Sequence, residues 1–141
     1  MKKLLLVVLC LMFSLCGCGN KEIADSGKSN DGKFTFTIVK GGKAKTEAGV
    51  DVMNVTIKMD NHSDSSATPI DSGCGVWGFQ NGQDMPLEYD TALQENDNYT
   101  SVQNGYSLEY NVLLAMKDDS PVTVEVKDKS SNKVIARKVI E

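Results

Sequence analysis

Residues able to carry chemistry are scarce in this chain of 141 residues: one histidine, one tryptophan, four cysteines, and aromatic side chains at only 6%. With His62 as the sole imidazole, a serine or cysteine nucleophile has no general base of the usual kind, and a zinc or copper ion lacks three or four convergent ligands. His62 itself sits in Asn61-His62-Ser63-Asp64, a polar run that reads as a turn. Basic residues are missing from the middle of the chain. None occurs between Lys58 and Lys117, where Asp60, Asp64, Asp71, Asp84, Glu88, Asp90, Glu95, Asp97 and Glu109 give nine negative charges. A formal net charge of −4 makes nucleic acid a poor partner. Long apolar runs are absent after Phe13, and no helical period is sustained for three turns. This length accommodates one domain, which excludes machinery that needs a second domain to close over a substrate.

What is present begins at the N-terminus. Met1-Lys2-Lys3 is a basic opening, followed by the apolar run Leu4 to Phe13 and then Ser14-Leu15-Cys16-Gly17-Cys18. That order is the pattern of a secretory signal peptide over residues 1–17. A membrane-spanning helix needs about 20 apolar residues, and this run gives way to Gly19-Asn20-Lys21-Glu22 well before that length. Leu15-Cys16-Gly17-Cys18 resembles the lipobox of bacterial lipoproteins. The resemblance implies cleavage between Gly17 and Cys18, diacylglycerol on the Cys18 thiol, and a protein anchored to the outer face of the cytoplasmic membrane. Acyl chains contribute about 0.8 kcal/mol per buried methylene, so two chains hold where one is marginal. Removal of residues 1–17 takes Lys2, Lys3, Cys10 and Cys16 with it and lowers the net charge to −6. With Cys18 lipidated, Cys74 is the one thiol left, so an internal disulfide is excluded and a hydrophobic core must hold the domain. Ser72, Gly73 and Gly75 supply no cation or base to activate Cys74, which reads as a small packing residue.

Residues 18–32 are rich in Gly, Ser, Asn, Asp and Lys and read as a flexible, lipid-anchored tether before a domain at 33–141. In that domain the apolar period is two. Phe34, Phe36 and Ile38 alternate with Thr35, Thr37 and Val39, and Met53, Val55, Ile57 and Met59 alternate with polar residues. The same signature returns at Leu108, Tyr110, Val112 and Leu114, at Val122, Val124 and Val126, and less cleanly around Val134, Ile135 and Val139. Asn81-Gly82 between apolar-rich runs predicts a two-residue hairpin, because both central positions of a type I′ turn need positive φ. Lys129-Ser130-Ser131-Asn132 predicts a second turn. The expected fold is all-β, an immunoglobulin-like β-sandwich of about seven strands, with a small barrel as the alternative.

The second strand running into Asn61-His62-Ser63-Asp64, the Phe79-Gln80-Asn81-Gly82 turn, and the block from Ser101 through Tyr110 to Val126 carry a family resemblance. The chain resembles the uncharacterised Ig-like domain of small lipoproteins from Gram-positive bacteria, and is similar to the immunoprotective extracellular antigens and their relatives of unknown function. The resemblance implies a fold and an extracytoplasmic location. It implies no catalytic residue and no cofactor.

Several motifs match by spelling alone. Gly73-Cys74-Gly75-Val76-Trp77-Gly78 fits G-x-G-x-x-G, but a polar loop precedes it and a strand follows, where dinucleotide binding needs a strand and then a helix. Ser130-Ser131-Asn132-Lys133 fits S-x-x-K inside a hairpin turn. Met53, Met59, Met85 and Met116 could supply thioethers, yet two of them lie in the alternating strand pattern and read as core. Trp77 and Phe79 share one face of their strand and read as a core plug. The segment 84–98, DMPLEYDTALQENDN, is acidic and the least strand-like part of the domain, with one helical turn expected around Thr91 to Gln94. Its carboxylates, Asp84, Glu88, Asp90, Glu95 and Asp97, are the candidate site for a cationic partner or, alternatively, for a calcium ion that orders the loop.

These readings converge on a non-catalytic binding or cell-envelope interaction module, held to the membrane by lipid on Cys18 and facing an envelope or extracellular protein or peptide. Replacement of Cys18 by serine is expected to leave the protein unlipidated and misprocessed. Fractionation and gel mobility check this, and a Cys18→Ser protein that partitions and migrates like the parent would refute the lipobox.

Overall fold

The computed structural model describes residues 22–141, so the expected signal peptide, the expected cleavage between Gly17 and Cys18 and the expected lipid attachment at Cys18 lie outside the described residues. Among the described residues the period-two segments are strands, and their alternate apolar side chains turn to one side. They are β2 (Phe34–Lys45), β3 (Asp51–Asn61), β7 (Ser107–Ala115), β8 (Val122–Asp128) and β9 (Lys133–Ile140), and the apolar-rich run before Asn81-Gly82 is β4 (Cys74–Gln80). Three short strands accompany them: β1 (Ser26–Lys28), β5 (Gln83–Asp84) and β6 (Leu87–Glu88). All pairings are antiparallel. They form two separate sheets, ordered β1-β2-β3-β7-β6 and β5-β4-β8-β9, and so a sandwich in place of a barrel.

The core lies between the sheets. Phe36, Ile38, Met53, Val55, Ile57 and Met59 from the larger sheet meet Val122, Val124 and Val126 from the smaller one, all at 0–1% exposure. Burial of each such side chain stabilises the fold by about 1.5–3 kcal/mol before the cost in chain entropy. Met53 and Met59 are therefore core residues, as their place in the alternation predicts. The β4–β5 hairpin turns at Asn81 (φ 53°) and Gly82 (φ 74°), both left-handed as a type I′ turn requires. Asn132 (φ 56°) closes the β8–β9 hairpin in the same region of backbone space.

Two expectations are corrected. The first concerns residues 18–32, read as a tether with the domain starting at 33. Within them, β1 pairs with β2 through Ser26, Gly27 and Lys28, and Ser29 is buried. The Arg137 N–H of β9 donates to the Ala24 carbonyl at 2.9 Å, so this segment bridges both sheets along one side of the sandwich. Gly27 is required there, since a Cβ at that position would lie 1.8 Å from the Ile135 carbonyl oxygen. The segment is polar because main-chain hydrogen bonds hold it, and these leave no apolar pattern in the sequence. The second correction concerns Trp77 and Phe79. They do share a face, but it is the outer face of the smaller sheet; Cys74 and Val76 of β4 face the core, and Gly78 lies against the Leu114 side chain.

Asp128 secures the first of these arrangements. One carboxylate oxygen accepts hydrogen bonds from Ser130 and Ser131, and the other accepts the Asn30 N–H at 3.2 Å, joining the N-terminal segment to the β8–β9 turn. The Ser130 hydroxyl and the Asn30 N–H pull its pKa down from 3.8 to about 2. A carboxyl with a lowered folded-state pKa contributes stability above its unfolded value and loses it as pH falls through the folded one. Asp128→Ala is thus expected to lower Tm by several degrees at pH 7, with the gap to wild type narrowing between pH 4 and pH 2. Thermal melts across that range, with hydrogen exchange at residues 24–30, are the check.

Candidate functional site

One side of the sandwich is bridged by β1, and the opposite side is not. There β5 pairs with only Phe79 and Gln80 of β4, and β6 pairs with only Leu113 and Leu114 of β7. Between the two strand edges lies a cleft of about 580 Å³, within the size range of small-ligand sites. Val76, Met85, Tyr110, Val112 and Leu114 give it an apolar interior. Among the described residues six large apolar side chains are exposed, and three of them, Ile70, Leu87 and Tyr89, line this cleft. Asp84 on β5 and Glu88 on β6 add two carboxylates to the lining, and Lys129 adds one ammonium group.

Two titratable groups of the cleft wall, Cys74 and Tyr110, are held neutral. Burial pushes the Cys74 thiol up to about 11, and the charges of Asp128 and Asp31 push in the same direction, so the thiol is protonated at neutral pH and a poor nucleophile. Burial likewise pushes the Tyr110 hydroxyl up, which keeps it a hydrogen-bond donor. His62 is exposed, and its Nε2 lies 3.2 Å from the Thr35 hydroxyl; it does not line the cleft.

The five predicted carboxylates are divided. Asp84 and Glu88 reach the cleft; Asp90, Glu95 and Asp97 do not. Asp90 is buried and accepts the main-chain N–H groups of Glu47, Ala92 and Leu93, which fixes the acidic loop to the β2–β3 turn. The Glu47 N–H, at 2.7 Å, is the chief reason its carboxyl is held below the ordinary range. Asp97 accepts from the Tyr99 N–H and the Thr100 hydroxyl, and Glu95 is exposed. The helical turn expected at 91–94 is present, with the Gln94 N–H donating to the Asp90 carbonyl. Among the described residues no three His, Cys, Asp or Glu side chains are placed to hold a metal ion. The five carboxylates therefore do not share one site: carboxylates counted along a loop point to different sides when the loop is used to cap a turn and cover a strand.

A second constellation escaped sequence reading. On the outer face of the smaller sheet the Lys127 ammonium lies 5.3 Å from the Trp77 ring centre and 4.9 Å from that of Phe79. Beside it the buried Glu125 accepts from Arg137 Nε at 2.8 Å and Nη2 at 2.5 Å, and pairs with Lys127 at 3.1 Å. Glu125 and Lys127 alternate with the core valines of β8, a signal visible in sequence only once that face is known to be covered. Burial pushes the Glu125 carboxyl up, and the hydrogen bonds from Arg137 and Lys127 more than reverse this, so it lies below the usual carboxylate range.

The geometry so far defines a class: a two-sheet β domain with an apolar, acid-rimmed cleft along one open side. The chain belongs to the family of the domain of unknown function DUF5067, which matches residues 20–128. That match takes in β1. Two solved structures share the fold. One, from Staphylococcus aureus and assigned as a lipoprotein, is 12% identical with a TM-score of 0.60, and the match covers 83% of this chain and 92% of that one. The other, the YcdA protein of Bacillus subtilis, also assigned as a lipoprotein, is 10% identical with a TM-score of 0.55 over 84% of this chain. This chain spans 38% of that protein's structure. No curated protein matches the sequence.

Because the Glu125 network depends on an ionised carboxylate, Glu125→Gln is expected to cost about 1–3 kcal/mol at pH 7. The cost should shrink as pH falls below about 4.5, where the unfolded chain already binds the proton. Urea unfolding at pH 7 and pH 3, followed by the fluorescence of Trp77, measures it.

Proposed function

We propose that the chain is an extracytoplasmic lipoprotein, anchored by diacylglycerol on Cys18 to the outer face of the cytoplasmic membrane, whose sandwich acts without catalysis as a binding module. The observation that carries this reading is the cleft between the β4 and β7 edges, with half of the large apolar side chains exposed among the described residues gathered on one opening. Such clustering marks interaction sites, since single exposed apolar residues are ordinary and contiguous ones are not. The assignment of both structural neighbours as lipoproteins supports the location. The protonated thiol and the absence of histidine from the lining support a site that binds without reacting. The acidic rim and the net charge of −6 after cleavage favour a cationic envelope or extracellular protein or peptide over nucleic acid. Kinship with the immunoprotective extracellular antigens belongs to the same proposal and is supported by the two-sheet architecture alone.

The test uses full-length protein in detergent, incubated with envelope extract beside a Leu87→Ala/Tyr89→Ala variant. Both residues are about two-thirds exposed, so the fold is spared. A partner retained by the parent and by Val139→Ala, an exposed change that does not touch the cleft, should be lost by at least about tenfold in the double variant. Equal retention by all three proteins, or retention of nothing, would refute the cleft as the site.

A further inference from the structure

We infer that the cleft takes an extended peptide segment carrying a basic side chain, added as a further strand to the free edge of β4; this rests on the cleft being the binding site. The main chain of β4 supplies the first reason. In an antiparallel ladder the N–H and C=O of one residue point to the same side, and successive residues alternate. The Gly78 carbonyl accepts the Met85 N–H at 2.9 Å, so Gly78 faces away from β8, and Val76, two residues earlier, faces the same way. The Cys74 N–H on that edge is taken by the Ser72 hydroxyl at 3.2 Å. No described strand lies beside Val76, because β5 stops at Phe79. Its N–H and C=O are thus a donor and acceptor pair at the wall of the cleft.

The second reason is a contrast between the two edges. The β7 edge is covered by the acidic loop: the Asn111 N–H donates to the Asn96 carbonyl at 3.0 Å, the Asn111 carbonyl accepts Gln94 Nε2 at 3.0 Å, and the Glu109 carbonyl accepts Asn96 Nδ2 at 3.1 Å. Soluble proteins cover or blunt their sheet edges. This one satisfies the β7 edge with a strand mimic and leaves Val76 open over an apolar cavity. Strand addition uses such an arrangement, with main-chain hydrogen bonds for affinity and pockets for alternate side chains.

Charge supplies the third reason. Neither Asp84 nor Glu88 belongs to any salt bridge among the described residues. The sequence from 59 to 116 offers no Lys or Arg to neutralise them, and Lys129 at the β8–β9 turn is the one basic residue in the lining against these two carboxylates. A lysine or arginine on the incoming segment meets that rim while a bulky apolar neighbour enters between Val112 and Leu114.

The probe is a displayed library of random heptapeptides selected on full-length protein in detergent, with the strongest sequence then synthesised. Selection should return alternating bulky apolar residues with at least one Lys or Arg. Methylating the main-chain nitrogen that pairs with Val76 should weaken binding at least about tenfold, while methylation one residue away should not. Asp84→Asn/Glu88→Gln should weaken the basic peptide about fivefold and leave its Gln-substituted form unchanged. Insensitivity to every main-chain methylation, or selection of sequences without a basic residue, overturns the inference. So does a concentration-dependent dimer that occludes the cleft. If Leu87→Ala/Tyr89→Ala abolishes envelope capture while methylation has no effect, the cleft stands as a site and the added strand falls. If neither matters, both fall.

Discussion

Two sheets packed face to face are held by their core, but their edges must still be dealt with, and here one polar segment does this along a whole side. Residues 24–30 pair with β2 in one sheet, accept from Arg137 of β9 in the other, and donate to Asp128 at the turn between β8 and β9. The joint has no room for substitution at Gly27, which lies directly under the Ile135 carbonyl. Lys138 reinforces it from the opposite direction, donating to the carbonyls of Ile38 and Val39. Everything else in the molecule is arranged relative to this seal, because once one side is closed the remaining pair of edges, β4 and β7, faces a gap that the short strands β5 and β6 only partly fill.

Long strands were legible because their burial is one-sided. Where alternate residues meet a core, as along β2, β3, β7 and β8, the period of two is printed in the sequence, and Asn81-Gly82 announces its turn by a conformational demand few other residues meet. The rest was hidden for three separate reasons. β1 is held by main-chain bonds and so carries no apolar signature. Val76-Trp77-Gly78-Phe79 has apolar residues on both faces, so which face meets the core depends on the partner sheet: Gly78 fits against Leu114 where a side chain would not. The cleft arises from strand order, which no local pattern encodes. Of the acidic loop, the charge could be counted but not its direction, and Asp90 and Glu88 proved to serve different ends.

Buried polar side chains recur at the turns, each as an organiser. Asn61, 1% exposed, donates to the carbonyls of Ser65 and Val102 and accepts from Ser63. Gln80, equally buried, donates to the carbonyls of Asp118 and Ser120 and accepts the Lys117 N–H. Among the described residues no buried side-chain nitrogen or oxygen lacks a partner. A fully satisfied polar group fixes one loop conformation where an apolar one would tolerate several. That matters in a domain that has one cysteine within its described residues and no disulfide to restrict its loops.

The position of β1 also sets how the domain stands on its support. Seven residues, 19–25, separate Cys18 from Ser26, and the eight steps between them reach at most about 29 Å. With Cys18 in the bilayer as proposed, the sealed side of the sandwich is the one drawn toward the lipid. The open side, across the full width of both sheets, is then turned outward. A short leash fastened on the sealed side would leave the cleft on the face of the domain farthest from its point of attachment.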